Sequence, residues 1–414
     1  MSKHPVAIVL GGTNPHIALI KNLQKRGYHV VLIDYFENPP AAEFADEHIR
    51  ESTLDQEKVL EISKEIDAKL VISACIDQAN VTACYVAEQL GLPKPYSHAT
   101  SLNVTDKGIM KEMMLEGRIP TSKYIVVGQV DDQRISSLKF PLVVKPSDCT
   151  GSKGVRKATT HHELREYLTS ALQVGRAHKA IVEEFKEGME VQADFFVKDG
   201  EAFFVMMRQK IKVVGGKGTI LQSFGSIIPV EVSEKARANM LKVANQIVQT
   251  FKLENTSLFF QAIVNGDEVN IVEFAARVGG GLSYRMIQVM AGFDILDATV
   301  DSYFGIPVEV KYKHPESCYS TVIIYSRPGI FDSVSGYQEL LEQKGIEEFF
   351  FFKTRGMQVG EELTSGNRVG AFLTKADNPQ ELLKKMNTAV NKLEILDAEG
   401  NPIMRKDIYD GFQL

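Results

Sequence analysis

The sequence predicts a mixed fold, α/β and α+β: a parallel, doubly wound domain at the amino terminus, then more strand-rich layers. Three observations lead there. Short apolar runs at residues 6–10, 29–33 and 69–73 alternate with amphipathic stretches at 15–26, 56–66 and 79–90. That is the pattern of strands buried on both faces by crossover helices. From residue 120 the rhythm changes, and strand-like runs at 123–127, 141–145, 180–185, 191–197 and 202–207 follow with few helices between them. The chain of 414 residues is long enough for two to three domains, each with its own core.

In order, the first apolar run ends in Gly11-Gly12, and the first α/β unit closes at Gly91-Leu92-Pro93-Lys94-Pro95, a helix stop and turn. A helix is expected over 105–116, after which Ile119-Pro120-Thr121 opens the strand-rich region. A helix over 234–251 leads to strands at 257–264 and 268–274. Asn265-Gly266-Asp267 between them is a hairpin signal. The last region carries strands and helices at 335–343 and 379–393. The domains therefore read 1–100, 101–311 and 312–414, with no internal repeat or low-complexity tract.

Composition excludes several classes. Hydrophobic residues make up 44% and charged residues 24%, as in ordinary globular proteins. A net charge of −6 is wrong for a protein that coats nucleic acid, which needs a basic stripe against the phosphates. Cys75, Cys84, Cys149 and Cys318 form no metal-ligand spacing and read as reduced thiols of a cytoplasmic protein. The apolar run at 6–10 is too short for a signal peptide, and no apolar stretch is long enough to span a membrane.

Several segments carry chemistry. In Ile181-Val182-Glu183-Glu184-Phe185-Lys186-Glu187-Gly188-Met189-Glu190, an extended edge can offer backbone groups to a purine. The Gly188 turn can return Glu190 toward two ribose hydroxyls. Lys145 ends the apolar run Val143-Val144, so its ammonium reaches polar company only at the strand end. Thr150-Gly151-Ser152-Lys153-Gly154 is a small-residue loop able to wrap phosphates. Lys107 follows Asp106 at a helix start. Glu273 closes an apolar strand, where a carboxylate can hold Mg2+ against phosphates; Arg277 and Gly279-Gly280-Gly281 follow, and Arg277 can clamp an acyl phosphate or carboxylate. The alternative for Glu273 and Arg277 is a surface pair one helical turn apart. Arg208, Lys210, Lys212 and Lys217 read as a basic, mobile loop that closes over phosphates or an acidic substrate, or as a solvated one. No Walker-type phosphate loop and no kinase signature is present. Gly11-Gly12-Thr13-Asn14-Pro15-His16, with Asp34 as a ribose acid, imitates a dinucleotide fingerprint but lacks its third glycine. His16 and Asp77 read as a turn and a helix cap, or as contributors to the acceptor-substrate site that the resemblance described next implies for this loop.

Together and in this order these pieces resemble the ATP-grasp superfamily, most closely its carboxylate-amine ligases of the L-amino acid ligase type; they are also similar to phosphoribosylamine-glycine ligase and biotin carboxylase-type enzymes. The resemblance implies a pre-ATP-grasp domain, an ATP-grasp domain of two α+β subdomains with a lid over about 120–190, and a carboxy-terminal α/β extension. It assigns Lys107, Lys145, Ser152 and Gly154 to ATP phosphates, Glu183 to the adenine amino group, backbone at Glu184 and Phe185 to the ring edge, and Glu190 to the ribose. Glu273 and Gln261 become Mg2+ ligands, with Mn2+ as an alternative ion, and Arg277 and Arg285 act on the carboxylate. The implied partners are a small-molecule carboxylate and an amine, and often a second copy of the chain. The pattern departs at Gln261 and Ala275, where many members carry a second acid and an asparagine. The competing readings are a phosphoribosylamine-glycine ligase-like purine enzyme, an ATP-binding subunit without turnover and, on the amino-terminal loop alone, an NAD-dependent oxidoreductase.

Overall fold

The computed structural model describes residues 4–149, 151–175, 177–212 and 221–409. The amino-terminal unit runs β1 (Val6–Leu10), α1 (Asn14–Lys25), β2 (His29–Ile33), β3 (Glu47–Ile49), α2 (Gln56–Glu65), β4 (Ala68–Ile72) and α3 (Asp77–Leu90). The strands form a parallel sheet in the order β3-β2-β1-β4. Because successive side chains alternate faces, Ala7, Val9, Val30 and Leu32 pack on Leu19, Ile20 and Leu23 of α1, while Ile8, Leu10, Val31 and Ile33 share a core with Val59 of α2 and Ala83 of α3. Gly91 ends α3 in the left-handed conformation that the turn signal required.

A second sheet is antiparallel. After α4 (His98–Asn103) and α5 (Lys107–Glu116) come β5 (Tyr124–Val127), β6 (Leu142–Pro146), β7 (Arg156–Ala158), α6 (His161–Val174) and β8 (Ala180–Glu184), with order β5-β8-β6-β7. Leu142, Val144, Ala180 and Val182 form its core against Leu164, Leu168 and Ala171 of α6. The expectation of an exposed edge at Ile181–Phe185 is corrected here. Strand β8 lies between β5 and β6, and at its end the N–H groups of Glu184, its last residue, and of Phe185 donate to the carbonyls of Lys123 and Pro141 (both 2.9 Å).

The largest sheet gathers β9 (Met189–Lys198), β10 (Glu201–Lys212), β11 (Ser223–Ile228), β12 (Thr256–Asn265), β13 (Glu268–Ala275), β14 (Cys318–Tyr325), β16 (Glu348–Phe351) and β18 (Arg368–Ala376), in the order β13-β12-β9-β10-β11-β14-β18-β16. Strand β11 pairs with β14, so one sheet joins strands from both sides of residue 312 in sequence. Its interleaved helices are α7 (Glu234–Phe251), α8 (Ser283–Ala291), α9 (Ile295–Tyr303) and α10 (Tyr337–Glu342). Strands β15 (Gly329–Ser335), β17 (Gln358–Val359) and β19 (Glu394–Asp397) form a small sheet beside α11 (Pro379–Lys392). The hairpin at Asn265-Gly266-Asp267 joins β12 to β13 as expected, with Gly266 at φ 57°.

One face of the large sheet is apolar. Val191, Ala193, Phe195, Phe260 and Ala262 pack on Met240, Val243, Ala244 and Ile247 of α7. The residues between them point the other way, and there the chemistry collects. Arg208, Lys210 and Lys212 belong to this face: β10 runs on to Lys212 instead of ending in a mobile loop. Their period-2 alternation with Met207, Gln209 and Ile211 makes the segment a strand with a polar side. Lys217 lies outside the described residues.

Candidate active site

Four directly opposed residues cross the polar face on neighbouring strands: Glu273 on β13, Gln261 on β12, Gln192 on β9 and Arg208 on β10. Directly opposed side chains on antiparallel strands share a face and lie within about 5.5 Å at Cβ. The row is graded: Glu273 and Gln261 are half-buried, whereas Gln192 and Arg208 are 2% and 4% exposed. The open end thus offers two oxygen donors side by side. The closed end holds a network in which Gln192 Nε2 donates to Asp194 Oδ1 (2.9 Å) and to Ser283 Oγ (3.2 Å), and Arg208 donates to Ser283 Oγ.

Facing the open end is a buried triad. Lys145 Nζ lies 2.7 Å from Glu183 Oε1, and Lys111 Nζ 3.0 Å from Glu183 Oε2. All three side chains are nearly inaccessible. Burial opposes ionisation of Glu183, but the two ammonium groups together pull its carboxyl down to about 2. Burial lowers Lys111 as well, and among the charges that offset this is Glu273, so triad and row share one cleft. Lys111 also donates to Thr121 Oγ1, which in turn donates to the Ile271 carbonyl on β13 (2.9 Å). Two lysines and one carboxylate leave a surplus positive charge in a dry place.

Lys145 therefore sits where its strand-end position implied, and Lys111 is the residue that sequence reasoning missed. On α5 it stands one turn after Lys107 among Met110, Met113 and Met114, and an isolated lysine on a helix ordinarily reads as solvent-facing. Glu183 was expected at an adenine amino group; its carboxylate is clasped by the two lysines instead. Lys107 opens α5 behind the Asp106 cap and donates to the Cys149 carbonyl, so it adjoins the small-residue loop. In that loop Gly151, Ser152 and Gly154 all have positive φ (64°, 62° and 72°), and Ser365 N–H donates to the Gly151 carbonyl (3.2 Å). Thr150 lies outside the described residues. Gly188 has φ 143° and approaches the Val264 carbonyl so closely that a Cβ would lie 2.4 Å from it, which fixes the turn into β9. Glu190, expected at a ribose, is paired with Lys212. Burial and the Arg208 guanidinium lower the neighbouring Lys210 to about 7.

Both arginines are committed to partners. Arg277 makes a bidentate pair with Asp77 at the start of α3 (Nε–Oδ1 2.7 Å, Nη2–Oδ2 2.6 Å), which replaces the surface pair with Glu273. This bridge ties the large sheet to the amino-terminal unit. Arg285 on α8 is held by Glu348 (2.6 Å) and Gln288 (2.7 Å). His16 is inaccessible, contacts Thr13 Oγ1 (2.8 Å) and is lowered by burial to about 4, as a neutral packing group would be. Asp34 accepts from Gly12 N–H (2.7 Å) and Phe36 N–H (2.9 Å). Its carboxylate therefore braces the first loop, which removes the ribose acid from the NAD reading.

Comparison with known proteins supports the architecture. Residues 105–281 match the model of the phosphoribosylglycinamide synthetase ATP-grasp (A) domain, and residues 322–396 match L-amino acid ligase C-terminal domain 2. The formate-dependent phosphoribosylglycinamide formyltransferase of Aliivibrio fischeri is 24% identical over 387 residues, covering 90% of this chain and 92% of that protein. That of Prochlorococcus marinus is 24% identical over 414 residues, covering 96% and 100%. Among solved structures, the L-amino acid ligase from Bacillus licheniformis superimposes with a TM-score of 0.79 at 18% identity, covering 96% of this chain and 100% of that one. N5-carboxyaminoimidazole ribonucleotide synthetase from Thermotoga maritima does so with a TM-score of 0.74 at 16% identity, covering 95% and 99%. With a parallel sheet, an antiparallel lid-like sheet and a large sheet arranged as in these structures, and with both domain models on the chain, residues 105–281 form an ATP-grasp domain, and the whole chain has the fold of ATP-grasp enzymes to which it is similar.

Proposed function

We propose that this ligase activates the carboxylate of an amino acid as an acyl phosphate and joins it to an amine, in a cleft that takes ATP and a divalent cation. The observation that carries the reading is the opposed pair Glu273–Gln261 facing the buried Lys111–Glu183–Lys145 triad. A triphosphate needs concentrated positive charge and oriented N–H groups, and the triad supplies surplus charge at a fixed place. Lys107 and the loop Gly151–Gly154 add a third ammonium and backbone N–H groups beside it.

The donor set suits Mg2+. One carboxylate and one amide oxygen on the same face suffice for an ion that takes its remaining ligands from phosphate and water. Among the described residues no group of three or more His, Cys, Asp or Glu side chains could hold a metal by itself, in keeping with a site completed by the nucleotide. When bound, the ion neutralises charge on the phosphate oxygens. Glu273 and Gln261 would hold it, and the triad's surplus positive charge would hold the phosphate within reach of a carboxylate oxygen. That oxygen forms a bond to the γ phosphorus as the bond to ADP breaks. An amine nitrogen then bonds to the acyl carbon, phosphate leaves, and a proton departs from the nitrogen. The buried floor of Gln192 and Arg208 keeps water from the acyl phosphate.

An amino acid is favoured by the carboxy-terminal match to an L-amino acid ligase domain and by the fit to a ligase structure of that name. A second reading, formate and phosphoribosylglycinamide as substrates, is favoured by the formyltransferases, which align with nine-tenths or more of the chain. A cytoplasmic location suits either. ADP release is to be measured with a panel of amino-acid pairs and, separately, with formate plus glycinamide ribonucleotide. Turnover with amino acids supports the first reading; turnover only with formate and glycinamide ribonucleotide replaces it with the second. MgATP binding with no turnover under any pair leaves a nucleotide-binding subunit, the reading to which Gln261 and Ala275 lend themselves.

A further inference from the structure

The small-residue loop is held from outside the sheet that carries it. Residues 151–154 lie between β6 and β7, and the N–H of Ser365, in the connection from β17 to β18, donates to the Gly151 carbonyl (3.2 Å). The fit is close: a Cβ on Gly151 would overlap the Ser365 side chain. The Ser365 side of the contact is braced. Asn367 Oδ1 accepts from Gly360 N–H (2.9 Å) and its Nδ2 donates to the Glu362 carbonyl (2.8 Å), which closes residues 360–367 on themselves. The next residue, Arg368, opens β18 in the largest sheet and donates through Nε to the Tyr325 hydroxyl (3.2 Å). Away from the contact the two loops part around a cavity of about 460 Å3, lined by Lys153 on one side and by Glu361, Glu362 and Thr364 on the other.

A hydrogen bond at that place has a directional consequence. In a planar trans peptide the C=O and the following N–H point opposite ways. With the Gly151 carbonyl turned to Ser365, the Ser152 N–H faces away from the carboxy-terminal region. Ser152 has φ 62°, a conformation that a residue with a Cβ rarely adopts unless its surroundings hold it there. We propose that Ser365 is a positioning residue: its N–H clasps the phosphate loop to the carboxy-terminal region, sets the Gly151–Ser152 peptide so that its N–H is presented to a phosphate oxygen, and slows release of bound nucleotide. The assignment rests on the nucleotide reading above, but one arm of its test does not.

Two substitutions at one position separate backbone from side chain. Ser365 is the first residue of the short helical turn Ser365–Asn367, and Thr364 before it is extended, with φ −117° and ψ 168°. A first helical position suits proline, and an extended residue suits the place before it. Ser365→Pro therefore replaces the donor with a ring carbon and keeps the turn, whereas Ser365→Ala keeps the donor. In stopped-flow displacement of a fluorescent MgADP analogue from the full chain, Ser365→Pro is expected to release nucleotide roughly three- to tenfold faster, the scale of one hydrogen bond. The association rate and melting temperature stay at the wild-type values, and Ser365→Ala releases as wild type does. In the nucleotide-free protein, trypsin cleavage after the exposed Lys153 should quicken in the proline variant alone. Should that variant fail to fold, Asn367→Ala, which opens the 360–367 loop, is expected to shift both readouts the same way. Wild-type release and cleavage in the folded proline variant, or in Asn367→Ala in its place, overturn the clasp. Faster release with Ser365→Ala, or faster cleavage with unchanged release, overturns it as well. If wild type binds no MgADP while cleavage after Lys153 still quickens in Ser365→Pro alone, the clasp stands and the nucleotide reading fails.

Discussion

Lys111, Glu183 and Lys145 show how a few side chains set the character of the cleft. With the Glu183 carboxyl held near 2 in the fold and near 4.3 when unfolded, the triad's contribution is complete above the unfolded value and is lost as pH falls through about 4 toward 2. Acid unfolding of Glu183→Gln should therefore lack that limb of the wild-type curve. His16 acts in the same direction for a different reason. Its buried ring stays neutral down to about pH 4, whereas the unfolded imidazole takes a proton below about 6.5. Stability should decline between these values by about 3 kcal/mol, and urea denaturation of wild type and His16→Gln at pH 7 and pH 4.5 measures it; an equal loss in both would remove His16 as the cause. Lys145→Ala should weaken MgATP binding by roughly 1.5 to 3 kcal/mol, and Lys111→Ala by a similar amount despite its inconspicuous setting in the sequence. Unchanged binding in both would separate the triad from the phosphates. At this scale Lys145 was legible because an ammonium after Val-Val must sit at a strand end. Lys111 was not, since its burial comes from Glu183, 72 positions away in sequence.

At the scale of elements, the doubly wound unit and the β12–β13 hairpin could be read from apolar periodicity and from Asn-Gly. Two elements could not. The run Ile181-Val182 looks the same at an edge as in the middle of a sheet, because strand order is decided by β5 and β6 approaching from elsewhere in the chain. The charges of β10 looked like a loop because the strand's polar face is stabilised by partners on β9 and α8. The glycine run shows the same division of roles. A Cβ on Gly279 would lie 2.5 Å from Ser283 Oγ and 2.8 Å from Gln192 Nε2, but one on Gly280 would meet nothing. Gly279→Ala should lower the melting temperature and catalytic turnover together, whereas Gly280→Ala should melt with the wild type. Equal melting of the two variants would mean that the Gln192–Ser283 network yields without cost. The strand row makes a sharper chemical prediction. Glu273→Gln should leave the melting temperature unchanged and abolish metal-dependent ADP release; normal release would exclude Glu273 from the metal.

Over the whole molecule, chain segments far apart in sequence converge on one cleft. Strand β6 and α5 supply the lysines, β12 and β13 the opposed oxygen donors, and β9 and β10 the buried floor. Asp77 at the start of α3 locks Arg277, so the amino-terminal unit braces the large sheet. The small-residue loop rests on Ser365, which lets the carboxy-terminal region complete the enclosure. The central claim is that this cleft makes an acyl phosphate, and oxygen transfer tests it most directly. Amino acids carrying 18O in the carboxylate are to be incubated with the protein, MgATP and a second amino acid, and the released phosphate analysed by mass. One labelled oxygen per phosphate formed is the predicted result. ADP released with unlabelled phosphate, across amino-acid pairs that support turnover, would contradict it.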